Sequence, residues 1–200
     1  MMPGRRTGRP LPDVAGVALI EALVAIALLA SALIALAGLL ATAATATHRA
    51  HVVSTTAILA SRKMEQLRSL AWSVDGTGAA TSDVRTDTTA VDASTTCRAV
   101  GASVGTGLSV SPAGALDADT AGYVDYVDGD GCGLGGGDDP PSGTVYVRRW
   151  SVTALPASPD MAVVLQVVVA KYDPSTAGVR SLRGRPGSAR LVSIKSRKRP

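Results

Sequence analysis

The sequence has no phenylalanine, and aromatic residues make up only 3% of it. A large aromatic core is therefore excluded, and any globular part must be small and built on Val, Leu and Ala. Cysteine is nearly absent, with only Cys97 and Cys132, and their spacing matches no metal-ligand pattern. If the C-terminal part is exported, the two could form one disulfide; the alternative is two unrelated thiols, because sequence alone does not bring their Cα atoms together. Histidine is equally scarce. His48 and His51 stand three apart on one helix face with no third ligand in view, which reads as surface histidine and not as a metal site. No nucleophile–base constellation, paired-histidine motif or phosphate loop in context is present, so the chain does not read as an enzyme.

Charge is missing from one long stretch. Between Val17 and Thr47 the only ionisable residue is Glu21. The run exceeds the ~20 apolar residues needed to cross a hydrocarbon core. Before it lies "MMPGRRTGRPLPDVAG", residues 1–16, with three Arg and three Pro. Proline removes backbone donors and breaks helices, so this reads as a leader and not as structure. Arginines before the span and none just inside it predict a cytoplasmic N-terminus and an exported C-terminal part. A cleaved signal peptide is the alternative, with "ATAATA" at 41–46 offering small-residue cleavage sites.

Basic residues are almost absent from 73–139, which holds eleven Asp against Arg85 and Arg98, a balance of −9. Residues 140–200 reverse this, with eleven Lys and Arg against Asp160 and Asp173, a balance of +9. The two regions could complement each other within or between subunits, or form two solvated faces. The basic end "KSRKRP" has no interleaved aromatics, so it reads as a solvated tail, and nucleic acid is not an expected partner.

What is present is a pattern. In "GVALIEALVAIALLA", residues 16–30, a glycine is followed by an uninterrupted apolar run carrying one carboxylate, Glu21. An acidic residue in a bilayer costs roughly 2.5–3.5 kcal/mol on insertion scales and marks a function by default. The stretch resembles the N-terminal signal of type IV prepilins and type II secretion pseudopilins. The resemblance implies cleavage between Gly16 and Val17 by a prepilin peptidase and N-methylation of Val17. It also implies that Glu21 is the carboxylate that meets a neighbouring subunit's terminal amine during assembly. Implied partners are that peptidase, other pilin or pseudopilin subunits, an inner-membrane assembly platform and membrane lipid; no cofactor is implied. The implied location is the bacterial inner membrane, single-pass with the head periplasmic, then a pilus or pseudopilus. The family most often has Phe where Val17 stands, and many major pilins have Pro where Gly38 stands. The peptidase is usually tolerant at the first of these positions, and Gly38 at the second favours a minor subunit. The stretch "ILASRKMEQLRSL" also resembles the corresponding helix of PilV-like minor pilins and I-type minor pseudopilins.

Beyond the apolar run, Val53, Ala57, Ala60, Met64, Leu67 and Ala71 recur at steps of four and three, an amphipathic stripe. Arg62, Lys63, Glu65 and Arg68 are expected on the other faces. The segments 17–47 and 48–72 together predict one helix roughly 80 Å long. Residues 73–200 are expected to form a β-rich head with Gly/Asp loops. Its strands are expected at 144–155, 161–172 and 189–197, with a short one at 97–104. The expected fold is α+β and pilin-like, a long helix on an antiparallel sheet of three to four strands.

In the loop 125–143, Gly131, Gly133 and Gly136 satisfy G-x-G-x-x-G, but no strand leads in and Pro follows where a helix should start. Asp125, Asp128 and Asp130, with Asp138 and Asp139, are weak candidates for Ca²⁺. The full EF-hand spacing is absent, and a flexible acidic loop is the preferred reading. The functional expectation is a structural assembly subunit, with a membrane-anchored or secreted binding or adhesion module as the alternative.

Overall fold

The computed structural model describes residues 14–89, 97, 106–176, 182 and 184–197. The chain forms two compact units, Met1–His48 and Arg49–Pro200. The first helix, α1, spans Val14–Ser69 and contributes to both.

In the first unit α1 is rich in Ala and Leu, which lose little side-chain freedom in a helix. Every residue from 17 to 48 is exposed. This is one helix long and apolar enough to cross a membrane. Its few hydroxyls are satisfied inside the helix. Ser31 donates to the Leu28 carbonyl and Thr42 to that of Leu39, both at 2.8 Å. Thr45 donates to Thr42 at 2.8 Å and Thr47 to Ala43 at 2.9 Å.

In the second unit the helix behaves differently. Thr56, Leu59, Ala60, Lys63, Met64 and Leu67 are buried, followed by Leu70 just past the helix end. These steps of three and four make one inward stripe. The expected stripe is right in its middle, at Ala60, Met64 and Leu67, and wrong at its ends, where Val53, Ala57 and Ala71 are exposed. It also misplaced Lys63, which faces inward. A hydrophobicity pattern cannot detect a cation that the fold has paired.

Seven strands follow among the described residues. β1 (Trp72–Val74) and β2 (Ala80–Ser82) form an antiparallel hairpin. The others are β3 (Val124–Val127), β4 (Gly133–Gly135), β5 (Tyr146–Ala154), β6 (Ala162–Lys171) and β7 (Ala189–Ser196). They build one antiparallel five-stranded sheet in the order β4-β3-β5-β6-β7. The α+β class holds, but five strands plus two exceed the three to four expected. β5, β6 and β7 match the three long expected strands. β1 to β4 are three or four residues each, and Asp125 in β3 and the glycines of β4 read as loop. The expected strand at 97–104 lies outside the described residues, except for Cys97.

Alternation along the strands gives the sheet two covered faces. Tyr146, Trp150 and Val152 of β5, with Val163, Leu165, Val167 and Val169 of β6, pack against the α1 stripe. Val124, Tyr126, Val147, Val168 and Ala170 point the other way and meet Leu116 and Leu182. β6 is therefore buried on both sides, as its continuous apolar run predicts. The loop entering β7 docks on α1. Thr56 donates its hydroxyl to the Gly187 carbonyl at 2.9 Å. Gly187 has φ +79°, and a Cβ there would sit 2.9 Å from Val52 Cγ1, so a side chain fits neither the backbone nor the space.

The register of α1 on the sheet is testable. Leu67→Ala should cost about 2–5 kcal/mol, because it empties a fully buried site. Val53→Ala, which belongs to the expected stripe but is 50% exposed, should stay within about 0.5 kcal/mol. Denaturant unfolding of the full chain in detergent, followed by tryptophan fluorescence, measures both.

Candidate functional site

The residues singled out by the sequence fall at two places. The first is the start of α1. Gly16 lies in its first turn, Val17 is 64% exposed, and Glu21 is exposed one turn further on. Ser31, Thr42, Thr45 and Thr47 are bonded within the helix. Glu21 is the one polar side chain between Val17 and Thr47 with no bond to any described residue. In hydrocarbon such a group is costly without a partner.

The second place is inside the head. β3 turns Asp125 and Val127 towards α1, and β5 places Arg148 beside Asp125 in register. Arg148 donates Nε to Asp125 Oδ1 at 2.7 Å and Nη2 to Oδ2 at 2.8 Å, a two-point grip. Lys63 reaches in from α1 and donates to Asp125 Oδ2 at 2.8 Å and to the Thr88 carbonyl. Its ammonium also lies 3.7 Å from the centroid of the Trp150 ring, where the face of the indole attracts a cation. The Lys63 and Asp125 side chains are 0% and 1% exposed.

Burial dominates the Lys63 amine and lowers it to about 8, against the opposing charge of Asp125. Burial pushes the Asp125 carboxyl up, but the charges of Arg148 and Lys63 outweigh it and hold the carboxyl below its ordinary value. Both groups are therefore charged at neutral pH. As pH falls below 3.8, the unfolded chain takes up a proton that folded Asp125 resists, and stability is lost. Between about 8 and 10.5 the unfolded chain retains the proton that folded Lys63 releases, so the Lys63 contribution to stability rises with pH.

The geometry gives two of the weak calcium candidates, Asp125 and Asp128, roles within the fold. Asp125 is committed to two cations in the core. Asp128 turns its Oδ1 back to the backbone N–H groups of Asp130 at 3.0 Å and Cys132 at 2.8 Å, closing the β3–β4 turn. Asp130 is exposed. The three do not converge, and no group of three metal-ligating side chains occurs among the described residues. The glycine pattern also has a packing cause. A Cβ on Gly136 would sit 2.4 Å from the Val124 carbonyl oxygen, so a close backbone crossing requires glycine there.

Cys97 and Cys132 are disulfide-bonded, with Cα atoms 5.4 Å apart, tying residue 97 to the β3–β4 turn. The basic end is less free than a solvated tail. Lys195 donates to the Arg68 carbonyl at the end of α1. Arg197 stacks 3.9 Å from the Trp72 ring centroid and donates to the carbonyls of Asp160 at 2.7 Å and Ser73 at 2.9 Å. Both residues fasten β7 to the helix end and the β1–β2 hairpin. His48 and His51 are exposed.

The site and fold together describe an α+β chain with one apolar helix able to cross a membrane and a disulfide-bonded antiparallel head. The chain has no significant match among family models, curated proteins or solved structures.

Unequal costs should separate the members of the buried cluster. Asp125→Ala leaves two cations without their carboxylate and should destabilise the head by about 3–5 kcal/mol. Lys63→Met keeps the Asp125–Arg148 pair and fills the space with an apolar stem. Denaturant unfolding should show it costing at least about 1.5 kcal/mol less than Asp125→Ala.

Proposed function

We propose that this chain is a minor pilin or pseudopilin. On this reading it is a structural subunit cut between Gly16 and Val17, methylated at Val17, held in the inner membrane and assembled into a pilus or secretion pseudopilus. The observation that carries the reading is Glu21, the one polar side chain between Val17 and Thr47 that no described residue satisfies. A lone carboxylate on a helix otherwise fit for lipid suits a partner bearing a positive charge at the same depth. The amine created at Val17 of a neighbouring subunit has that charge and lies near that depth. Other support is the composition of the segment before Gly16, the length of α1 and the small antiparallel head.

The partners on this reading are a prepilin peptidase, sister subunits, an inner-membrane assembly platform and lipid. The head is built for export, with a disulfide that persists in oxidising compartments. The chain does no chemistry of its own. Its work is to place a head at a fixed position in an assembly.

Glu21→Ala tests this in cells that make the assembly. It should reduce recovery of the chain in the assembled fraction by about tenfold or more, since breaking a buried pair costs about 3–5 kcal/mol. Its level in the membrane and the unfolding midpoint of its head should not change. Normal recovery of Glu21→Ala in assemblies would rule the proposal out and leave a plain anchored binding module.

A further inference from the structure

Lys63 and Arg148 are two cations on one carboxylate, Asp125. Asp87 adds a negative field at Lys63, while one of its oxygens takes the backbone N–H and hydroxyl of Thr89. The cluster reaches the surface through Arg148, whose side chain is 12% exposed. Asp125 holds its Nε and Nη2, and Nη1 bonds to no described residue.

Arg148 lines a pocket of about 330 Å³. Arg62, Gln66 and Ser69 of α1 form one wall, a helix face at steps of four and three. The β3–β4 turn, with Gly131 and the disulfide, forms the other. The Arg62 and Gln66 side chains bond to no described residue. Glu65, on the same wall, is paired with Arg68 at 3.3 Å. The pocket thus offers two guanidiniums, one of them locked in orientation, and a free amide. A fixed planar guanidinium suits a carboxylate.

The head also carries the complementary group. On the face of the sheet away from α1, the Tyr126 hydroxyl donates to the Gly137 carbonyl at 2.9 Å. That bond anchors the loop bearing Asp138 and Asp139, both exposed and neither bonded to a described residue. Pro140 and Pro141 follow and restrict the backbone of this acidic tip.

We propose that the Arg62–Arg148 pocket of one copy receives the Asp138–Asp139 tip of a second copy. The pocket is walled by α1, whereas the loop that carries the tip is held by Tyr126 on the face of the sheet away from α1. Two different surfaces in contact can repeat head to tail along an array. The inference rests on the subunit reading only in supplying sister copies at high local density.

The test uses the full-length chain in its own membranes, with a photo-crosslinking residue at Ser69 and products mapped by mass spectrometry. A cross-link to residues 136–143 of a second copy is expected. Arg62→Glu alone, or Asp138→Lys with Asp139→Lys, should each reduce it by about tenfold or more, because like charges then face each other. Combining all three substitutions should restore it at least in part. Unchanged unfolding midpoints keep misfolding out of the comparison, since none of the three side chains is bonded to a described residue. No cross-link, a cross-link to a different protein, or one that survives loss of the acidic tip would overturn the inference. The same samples report the intact mass. A chain cut before Val17 that gives no cross-link sinks this inference alone, whereas an uncut chain sinks the subunit reading.

Discussion

A helix in hydrocarbon must satisfy its polar groups within itself or against another chain, because no water is there to do it. α1 meets this constraint by two routes. Its backbone and its four hydroxyls between Ser31 and Thr47 are satisfied inside the helix. Glu21 is not, and nothing in the described chain reaches it. The function we propose follows from that one unmet group. A subunit that carries an unpaired carboxylate into the membrane is better placed in an assembly than alone, and the same charge fixes the register at which it joins.

The head solves a related problem in the opposite way. Lys63 also stands on α1 and would be costly alone in a core, but there the partner is internal. Asp125, itself gripped by Arg148 of the neighbouring strand, meets it from β3, and Trp150 offers its ring face. A buried charge cluster of this kind is weak as a source of stability but strict about geometry. Lys63 finds its carboxylate in one rotation of the helix on the sheet only. Leu59, Met64 and Leu67 supply the apolar burial, and Lys63 helps to fix the register in which they are buried.

The extent to which the sequence revealed this varies with the length of each signal. The apolar run from Val17, the carboxylate within it and the three long strands were legible because each rests on many residues of one period. β3 and β4 were not. β3 is four residues with Asp125 at its second position, and an acidic residue in a short segment rich in Asp and Gly reads as loop. The inward position of Lys63 was missed for the same reason that makes it informative, since its carboxylate partner lies 62 residues away in sequence. The ends of the helix stripe were misjudged because Val53, Ala57 and Ala71 fit the period, yet they lie on exposed positions of the chain. The basic end was read as free because stacking of Arg197 on Trp72 joins positions that no local pattern connects.

Assembly is the central claim, and processing is its earliest consequence. The most direct measurement is the intact mass and N-terminal sequence of the chain isolated from membranes, with and without the prepilin peptidase. The account predicts a chain that begins at methylated Val17 only when the peptidase is present. A chain that still begins at Met1, or one cut after Ala46, would contradict it, because Glu21 would then have no terminal amine at its depth to meet.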